Sequence, residues 1–250
     1  MKVIVDNIAT EYEDQGTGPV LLMLHGWKDT LHTFDALVPS LTSNFRIVRL
    51  DLPGFGKTEL PRLTWDLDDY IHFLASFLKK IECSPDYMLG HSFGARVIIK
   101  GVSEHTFVPK KIVLISAAGV TKKRYLRSTI YKVIAKIGKF FTAIPLLSRF
   151  RPILRRNLYN SAGSDYLDAG LLKETYLRVI NEDLSNRVSN IAVPTYLIWG
   201  SEDSSTPVSD AQFLENEMKN AQLQVFEGNS HFVHQEEHEK ISQAIKEFLK

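Results

Sequence analysis

The chain has 250 residues, of which 44% are hydrophobic and 24% are charged, so it can bury a large core and has an ordinary globular composition. Its single cysteine, Cys83, excludes an intrachain disulfide and gives no support for a structural zinc cluster. The acidic Asp6 interrupts the N-terminal apolar run too early for a signal peptide, and no uncharged apolar stretch reaches the roughly eighteen residues of a membrane span. We therefore expect a soluble, cytoplasmic protein.

The formal net charge of +1 conceals an uneven distribution. Residues 121–160 contain eleven Lys or Arg and no Asp or Glu, which leaves 19 basic and 29 acidic residues in the rest of the chain. Within this segment Lys132, Lys136 and Lys139 share one face of a predicted amphipathic helix. Such a helix could make weak peripheral contact with an anionic membrane or attract an acidic substrate, although a solvated outer face also explains the pattern. No nucleic-acid-binding module accompanies the basic charge, so nucleic acid is not an expected partner.

Short apolar runs separated by helical patterns predict a mostly parallel sheet. Residues 2–6 and 8–14 are expected to form an antiparallel pair, and the turn at 16–19 leads into the first central strand. Buried strands are predicted at residues 20–24, 47–50, 87–89, 112–115, 196–199 and 223–226.

Two surface helices are clear from the spacing of their apolar residues. The first is predicted over residues 66–81, with aspartates at its start and lysines at its end, as the helix dipole favours. The last contains Ile241, Ile245 and Phe248 on one face and is expected to have Glu236, Glu237 and Glu239 in its first turn.

About 80 residues separate the strand ending at Ile115 from the next strand, far more than a usual connection. Helical spacing recurs within this gap, first over residues 130–144 and again over residues 171–179. The sequence therefore predicts a core of residues 1–120 and 190–250 with a helical cap, residues 121–189, inserted after the sixth strand. The aromatic side chains of the cap are expected to cover an apolar pocket or to pack the cap onto the core.

The residues 90–94 have the pattern G-x-S-x-G and lie between a predicted strand and a predicted helix. In that context the pattern is typical of a nucleophile elbow, a strained turn that exposes a serine hydroxyl at a helix N-terminus. Ser92 is therefore the candidate nucleophile. Its two flanking glycines fit places where neighbouring backbones approach too closely for a Cβ.

A serine hydroxyl needs a general base, and an acid must orient that base. His231 follows the last predicted strand in a loop, as the usual chain order of serine, acid and histidine requires, while His234 is the alternative base. Asp203 is the preferred acid because it lies deeper in the loop after the strand at 196–199 than its neighbour Glu202.

Acyl transfer also needs two donors for an oxyanion. The backbone amide of Phe93 follows the nucleophile and is the first candidate, and the amide of Trp27, after His25 and Gly26, is the second. His25 and Gly26 are also compatible with a simple tight turn.

Taken together, the motifs at residues 25–27, 51–56, 90–94, 200–203 and 228–231 resemble the α/β-hydrolase superfamily over nearly the whole chain except the cap. The resemblance implies an α/β fold with an eight-stranded, mostly parallel sheet flanked by helices, no cofactor or metal, and an acyl-serine intermediate. It is closest to capped carboxylesterases, carbon-carbon hydrolases of meta-cleavage products, lipases and lactonases. Ser92 argues against relatives that use an aspartate nucleophile, and Trp27-Lys28 replaces the extra glycines frequent in meta-cleavage-product hydrolases.

The first functional hypothesis is accordingly a carboxylesterase that acts on a small or medium ester-like substrate. A carbon-carbon hydrolase, lactonase, lipase or amidase would use the same site. A ligand receptor on this fold is the alternative outside enzymes, and the presence of Ser92, Asp203 and His231 weighs against it.

Overall fold

The computed structural model describes residues 1–120 and 170–250 of the chain, and these residues contain eight β-strands and seven α-helices. The strands are β1 (Lys2–Val5), β2 (Ile8–Gln15), β3 (Val20–Leu24), β4 (Arg46–Leu50), β5 (Tyr87–His91), β6 (Lys111–Ile115), β7 (Thr195–Gly200) and β8 (Ala221–Phe226). The helices are α1 (Val38–Leu41), α2 (Leu67–Lys80), α3 (Phe93–Ser103), α4 (Lys173–Asn181), α5 (Val208–Glu217), α6 (Val233–Glu236) and α7 (His238–Leu249). Short 3₁₀ turns occur at Leu31–Phe34, Gly170–Leu172 and Val188–Asn190.

The strands form one sheet in the order β1-β2-β4-β3-β5-β6-β7-β8. The first two pairings, β1 with β2 and β2 with β4, are antiparallel, and all later pairings among the described strands are parallel. The expected antiparallel pair and mostly parallel sheet are therefore confirmed. β4 and β6 begin one residue before the predicted runs, at Arg46 and Lys111, because these polar residues pair at the strand starts where the sheet meets solvent.

Helices cover both faces of this sheet, which explains why its central strands are almost continuously apolar. Residues of α2, α3 and α5 pack with one set of strand side chains, such as Leu22 and Leu24. Residues of α1 and α7 pack on the opposite face with Leu21 and Met23. Strand alternation thus divides consecutive residues of β3 between two apolar layers.

The N-terminus of α2 shows how local sequence sets a helix boundary. Asp66 precedes the helix, and its carboxylate accepts hydrogen bonds from the amides of Asp68 and Asp69. The Asp69 carboxylate accepts from the Asp66 amide in return, which completes a capping box. The helix predicted over residues 66–81 is confirmed.

The last predicted helix is divided in the structure. The short α6 ends at Glu236, and α7 begins at His238, so that only Glu239 of the three expected glutamates lies in the first turn of α7. Glu237 has φ −121° and ψ 38°, which is not helical and separates the two segments. The apolar spacing of α7 itself follows the prediction, with Ile241, Ile245 and Leu249 buried.

The predicted cap lies partly outside the described residues. The helical pattern at 130–144 and the basic segment at 121–160 fall within residues 121–169, whereas the second pattern is confirmed as α4. Leu172 and Val179 bring this part of the chain into the same core as α2 and α3. The boundary of the cap at residues 121–189 remains a prediction. In the described part of the chain, the helices are too short or too polar to cross a membrane.

Candidate active site

Ser92 occupies a strained turn between β5 and α3. Its φ of 50° and ψ of −105° lie in a region that L-residues rarely adopt, and such strain persists only where surrounding structure enforces it. The Ser92 amide donates to the Ile115 carbonyl at 2.9 Å, and the Ala118 amide donates to the Ser92 carbonyl at 3.2 Å. These bonds fix the turn to the end of β6, so the strain is imposed from the neighbouring strand.

The two glycines around Ser92 are required by close packing. A Cβ on Gly90 would lie 2.5 Å from the backbone nitrogen of Ala95, and a Cβ on Gly94 would overlap the carbonyl oxygen of Leu24. Both obstacles are backbone atoms, which cannot rotate away as a side chain can. Gly90 therefore lets β5 turn sharply into α3, and Gly94 lets the start of α3 lie against the end of β3.

The structure brings Asp203 and His231 into contact at the carboxyl ends of β7 and β8. Nδ1 of His231 lies 2.7 Å from Oδ2 of Asp203. The Asp203 side chain is fully buried, whereas the His231 side chain keeps 16% of its surface exposed. Glu202, the neighbouring acid, is exposed.

The loop after β7 surrounds the Asp203 carboxylate with donors. Its Oδ1 accepts from the amides of Ser205 and Thr206, each at 2.8 Å, and its Oδ2 accepts from the Thr206 hydroxyl at 2.8 Å. Burial acts to raise the pKa of Asp203, but the hydrogen bonds from His231 and Thr206 outweigh it, and the pKa falls below its ordinary value. Asp203 is thus an ionised acceptor, so Nδ1 of His231 carries a proton and Nε2 is left as the basic nitrogen.

His234, the alternative base from the sequence, has a different environment. It is completely buried, and its Nε2 lies 3.0 Å from the Thr33 hydroxyl. Burial, together with the charge of His231, lowers the pKa of His234 to about 3. A histidine that cannot readily accept a proton is a poor general base, so the geometry favours His231 over His234.

The residue before the serine links the elbow to the His231 loop. His91 is buried, and its Nε2 lies 3.0 Å from the backbone carbonyl oxygen of His231. The two imidazole rings have their centroids 4.8 Å apart. Since His91 and Ser92 are consecutive, this contact brings the Ser92 turn next to the loop that carries His231.

The loop after β3 lies over the same turn. A Cβ on Gly26 would be 3.5 Å from the Cβ of Ser92, so the backbone that leads into Trp27 passes close to the serine. The indole of Trp27 contacts the Phe93 ring, with centroids 5.3 Å apart. Phe93 is the first residue of α3, and its amide therefore belongs to the N–H groups that lack an acceptor within the helix. The two predicted oxyanion donors thus lie on adjacent segments.

His25 fixes this loop without taking part in the predicted chemistry. Its Nε2 accepts from the Leu52 amide at 2.9 Å, so its Nδ1 carries the proton and donates to the Gly26 carbonyl at 2.7 Å. Burial lowers the pKa of His25, which favours this neutral form. The pair of bonds joins the loop after β3 to the loop after β4.

Sequence reasoning missed Thr206 and the structural roles of His25 and His91. Thr206 lies three residues after Asp203, a spacing at which a side chain and backbone amide commonly meet an Asp carboxylate, and this was the available signal. Among residues 1–120 and 170–250, no three His, Cys, Asp or Glu side chains are arranged to hold a metal ion.

Comparisons with known proteins agree with this architecture. A model of the "Alpha/beta hydrolase family" matches residues 21–244. The uncharacterized hydrolase YugF of Bacillus subtilis is 23% identical, with 98% of this chain and 96% of YugF covered. Among solved structures, a bacterial membrane phospholipase A has a TM-score of 0.77 at 24% identity. The match covers 100% of this chain and 84% of the phospholipase chain.

A meta-cleavage product hydrolase from Pseudomonas fluorescens IP01 is also similar in structure. Its TM-score is 0.75 at 19% identity, and the match covers 99% of this chain and 96% of that one. At these identities the structural likenesses show the fold alone. The family model, which spans most of the chain and includes the Ser92 turn and the Asp203 and His231 loops, carries the assignment: this chain is a member of the alpha/beta hydrolase family.

Proposed function

We propose that this protein is a serine hydrolase that cleaves a carboxylic ester of a small or medium substrate through an acyl-serine intermediate. The observation that carries the proposal is the 2.7 Å contact between His231 and the buried Asp203 carboxylate, together with a serine held in a strained turn at the start of α3. This combination provides a nucleophile, a base and an orienting acid.

The first half of the proposed reaction acylates Ser92. Nε2 of His231 removes the hydroxyl proton while Oγ bonds to the ester carbonyl carbon, and the carbonyl π electrons move to oxygen. The oxyanion then collapses, the bond to the leaving alkoxide breaks, and the alkoxide takes the proton from Nε2. The ionised Asp203 stabilises the imidazolium between these two transfers.

The second half hydrolyses the acyl-enzyme by the same groups. His231 takes a proton from water as the water oxygen attacks the acyl carbon, and collapse of the second oxyanion returns that proton to Ser92 and releases the acid. The amides of Phe93 and Trp27 would donate to each oxyanion.

The surroundings of the proposed oxyanion donors favour an apolar substrate group. The Trp27 indole contacts Phe55 and Tyr176 as well as Phe93, with ring centroids 4.9 Å, 5.1 Å and 5.3 Å away. Tyr176 belongs to α4, so the described part of the predicted cap helps to form this aromatic cluster. Aromatic walls with few polar groups are typical of small-molecule sites.

A carbon-carbon hydrolase of meta-cleavage type is the second candidate, because a solved protein of that kind shares the fold over nearly the full chain. The Trp27-Lys28 sequence after Gly26 argues against it, because relatives that cleave meta-cleavage products often carry further glycines there. Lactone and lipid esters also remain alternatives for the same Ser92 chemistry.

Turnover of p-nitrophenyl esters from acetate to dodecanoate tests the proposal, together with a fluorophosphonate label followed by intact mass. We expect one label per chain and hydrolysis with a chain-length optimum, and Ser92→Ala should abolish labelling and reduce turnover by more than about 10⁴-fold. Ser204→Ala is the matched control because Ser204 is an exposed residue of the Asp203 loop. Labelling without ester turnover would favour the carbon-carbon or lactone alternatives. The absence of both labelling and turnover would contradict the proposal.

A further inference from the structure

His91 makes one polar contact that its position in the elbow does not require. Its Nε2 lies 3.0 Å from the carbonyl oxygen of His231. A carbonyl oxygen only accepts, so Nε2 must carry the hydrogen and donate it. The contact therefore reaches from the end of β5 across to the main chain of the residue proposed as the general base, 140 positions later in the chain.

The other ring nitrogen of His91, Nδ1, makes no hydrogen bond with the described residues. Nδ1 is buried, and a Cβ on Gly26 would lie only 2.9 Å from it. An unsatisfied buried nitrogen costs stability, so an apolar side chain of similar volume would serve packing better. Packing alone therefore does not explain a histidine at this position.

The residues on either side of His231 are held within their own loop, since the Ser230 amide donates to Glu236 and the Phe232 amide donates to the Ser230 hydroxyl. The His231 side chain is held through Nδ1 by Asp203, but this bond alone permits rotation of the main chain around it. The His91 bond fixes the carbonyl of the same residue from the side of the elbow. The side chain and the main chain of His231 are thus each held by one bond, from Asp203 and from the residue that precedes Ser92.

We infer that His91 is a positioning residue that donates through Nε2 to the His231 carbonyl and holds the imidazole in register with Ser92. This inference rests on the proposed function for the role of His231, but the contact itself is independent of turnover. Misplacement of a reacting group by about 1 Å costs on the order of 10²-fold in rate, so a main-chain bond can control catalysis without touching substrate.

The environment of His91 keeps its ring neutral. Among the described residues, its ring contacts are His234, at a centroid distance of 4.4 Å, His231 and Phe232. Burial, followed by the charges of His234, His231 and His25, holds the pKa of His91 well below its usual range. A neutral donor supports the His231 loop without placing a second positive charge beside the imidazolium.

Two variants separate the donor from the volume of the ring. His91→Gln keeps an N–H at about the reach of Nε2, whereas His91→Met fills the space without a donor. We expect His91→Met to lower kcat and the rate of fluorophosphonate labelling by about 10- to 100-fold with little change in KM, and His91→Gln to recover most of that loss. His72→Met, at an exposed position of α2, is the mutational control and should match the wild type. Thermal unfolding identifies any variant that has simply lost its fold.

Proton NMR supplies a readout that does not depend on activity. The Nδ1 proton of His231, hydrogen-bonded to buried Asp203, should give a far-downfield signal in the wild type and in His91→Gln, and this signal should broaden or disappear in folded His91→Met. An unchanged signal and labelling rate in His91→Met would overturn the inference, as would equal impairment of both variants. If the wild type neither hydrolyses the esters nor reacts with the fluorophosphonate, the proposed function fails. The NMR comparison still decides the role of His91 in that case.

Discussion

Oδ2 of Asp203 lies 2.7 Å from Nδ1 of His231, and the carboxylate that makes this bond has no exposed surface. Three other hydrogen bonds from Ser205 and Thr206 occupy the remaining acceptor positions of the carboxylate. Because these bonds prevent the carboxylate from rotating, its Oδ2 can meet Nδ1 of His231 in only one orientation. The orientation of the imidazole is therefore set by the loop after β7.

Replacing Asp203 by Asn should separate charge from shape at this position. We expect Asp203→Asn to lower kcat by about 10²- to 10⁴-fold, because an amide can favour the wrong tautomer of His231 and does not stabilise its charged form. The measurement is steady-state turnover of a p-nitrophenyl ester.

Glu202→Gln is the matched control, since it removes a carboxylate one residue away that is exposed. It should leave kcat within about twofold of the wild type, as expected for a surface substitution. Equal losses in the two variants would contradict the assignment of Asp203 as the orienting acid.

Thr206 should support the same carboxylate. Its hydroxyl lies 2.8 Å from Oδ2 of Asp203 and 3.1 Å from the carbonyl oxygen of Ser116, and its single hydrogen serves the nearer acceptor, Asp203. Thr206→Val keeps the shape and removes the donor, and we expect a loss of about 1–3 kcal/mol in the free energy of unfolding because a buried acceptor is left unsatisfied.

The same substitution should reduce kcat, and Thr206→Ser, which keeps the hydroxyl, should restore both quantities in large part. Urea unfolding and ester turnover measure the two effects. A valine variant as stable and active as the wild type would show that Asp203 needs only its backbone donors.

Gly94 should be intolerant of the smallest side chain. Alanine normally stabilises a helix relative to glycine by about 1 kcal/mol, but here its Cβ would overlap the Leu24 carbonyl oxygen. We expect Gly94→Ala to destabilise the protein by about 2 kcal/mol or more, through forced movement of β3 away from α3.

Gly101→Ala gives the comparison within the same helix, because its added Cβ meets the ring of Phe107, a side chain that can shift. It should cost clearly less than Gly94→Ala in thermal unfolding. If Gly101→Ala proved the more damaging of the two, the argument from backbone overlap at Gly94 would fail.

Local sequence predicted the parallel strands and the loop positions of Ser92, Asp203 and His231, since buried strands are apolar and the proposed catalytic residues follow them in a fixed order. It did not predict contacts between distant segments. The Thr33 to His234 contact joins residues 201 positions apart, and the His25 to Leu52 bond joins two different loops. Such pairs leave no periodicity in the sequence. The break between α6 and α7 was missed for a related reason, because a helical glutamate pattern does not reveal the backbone angles of Glu237.

The buried histidines should make the free energy of unfolding depend on pH at values above those where carboxylates titrate. Burial is the main cause that lowers the pKa of His234 to about 3, and the charge of His231 adds to it while Glu236 opposes it. In the unfolded chain the same group has a pKa of about 6.5, so between these two values the unfolded state binds the proton and the native state does not. His234 therefore contributes nothing unfavourable above pH 6.5 and an increasing penalty as the pH falls towards 3.

From pH 7 to pH 5 this difference amounts to about 2 kcal/mol for His234 alone. We expect the free energy of unfolding of the wild type to fall over that interval and the fall to be about 2 kcal/mol smaller in His234→Gln, which cannot be protonated. Asp203 contributes little to this difference, because a lowered native pKa costs stability only as the pH falls to the ordinary carboxyl pKa of about 4 and below. Urea unfolding at the two pH values measures the difference, and His72→Gln on the exposed side of α2 should retain the full dependence of the wild type. Equal slopes in wild type and His234→Gln would mean that His234 is protonated in the native protein, despite its complete burial next to His91.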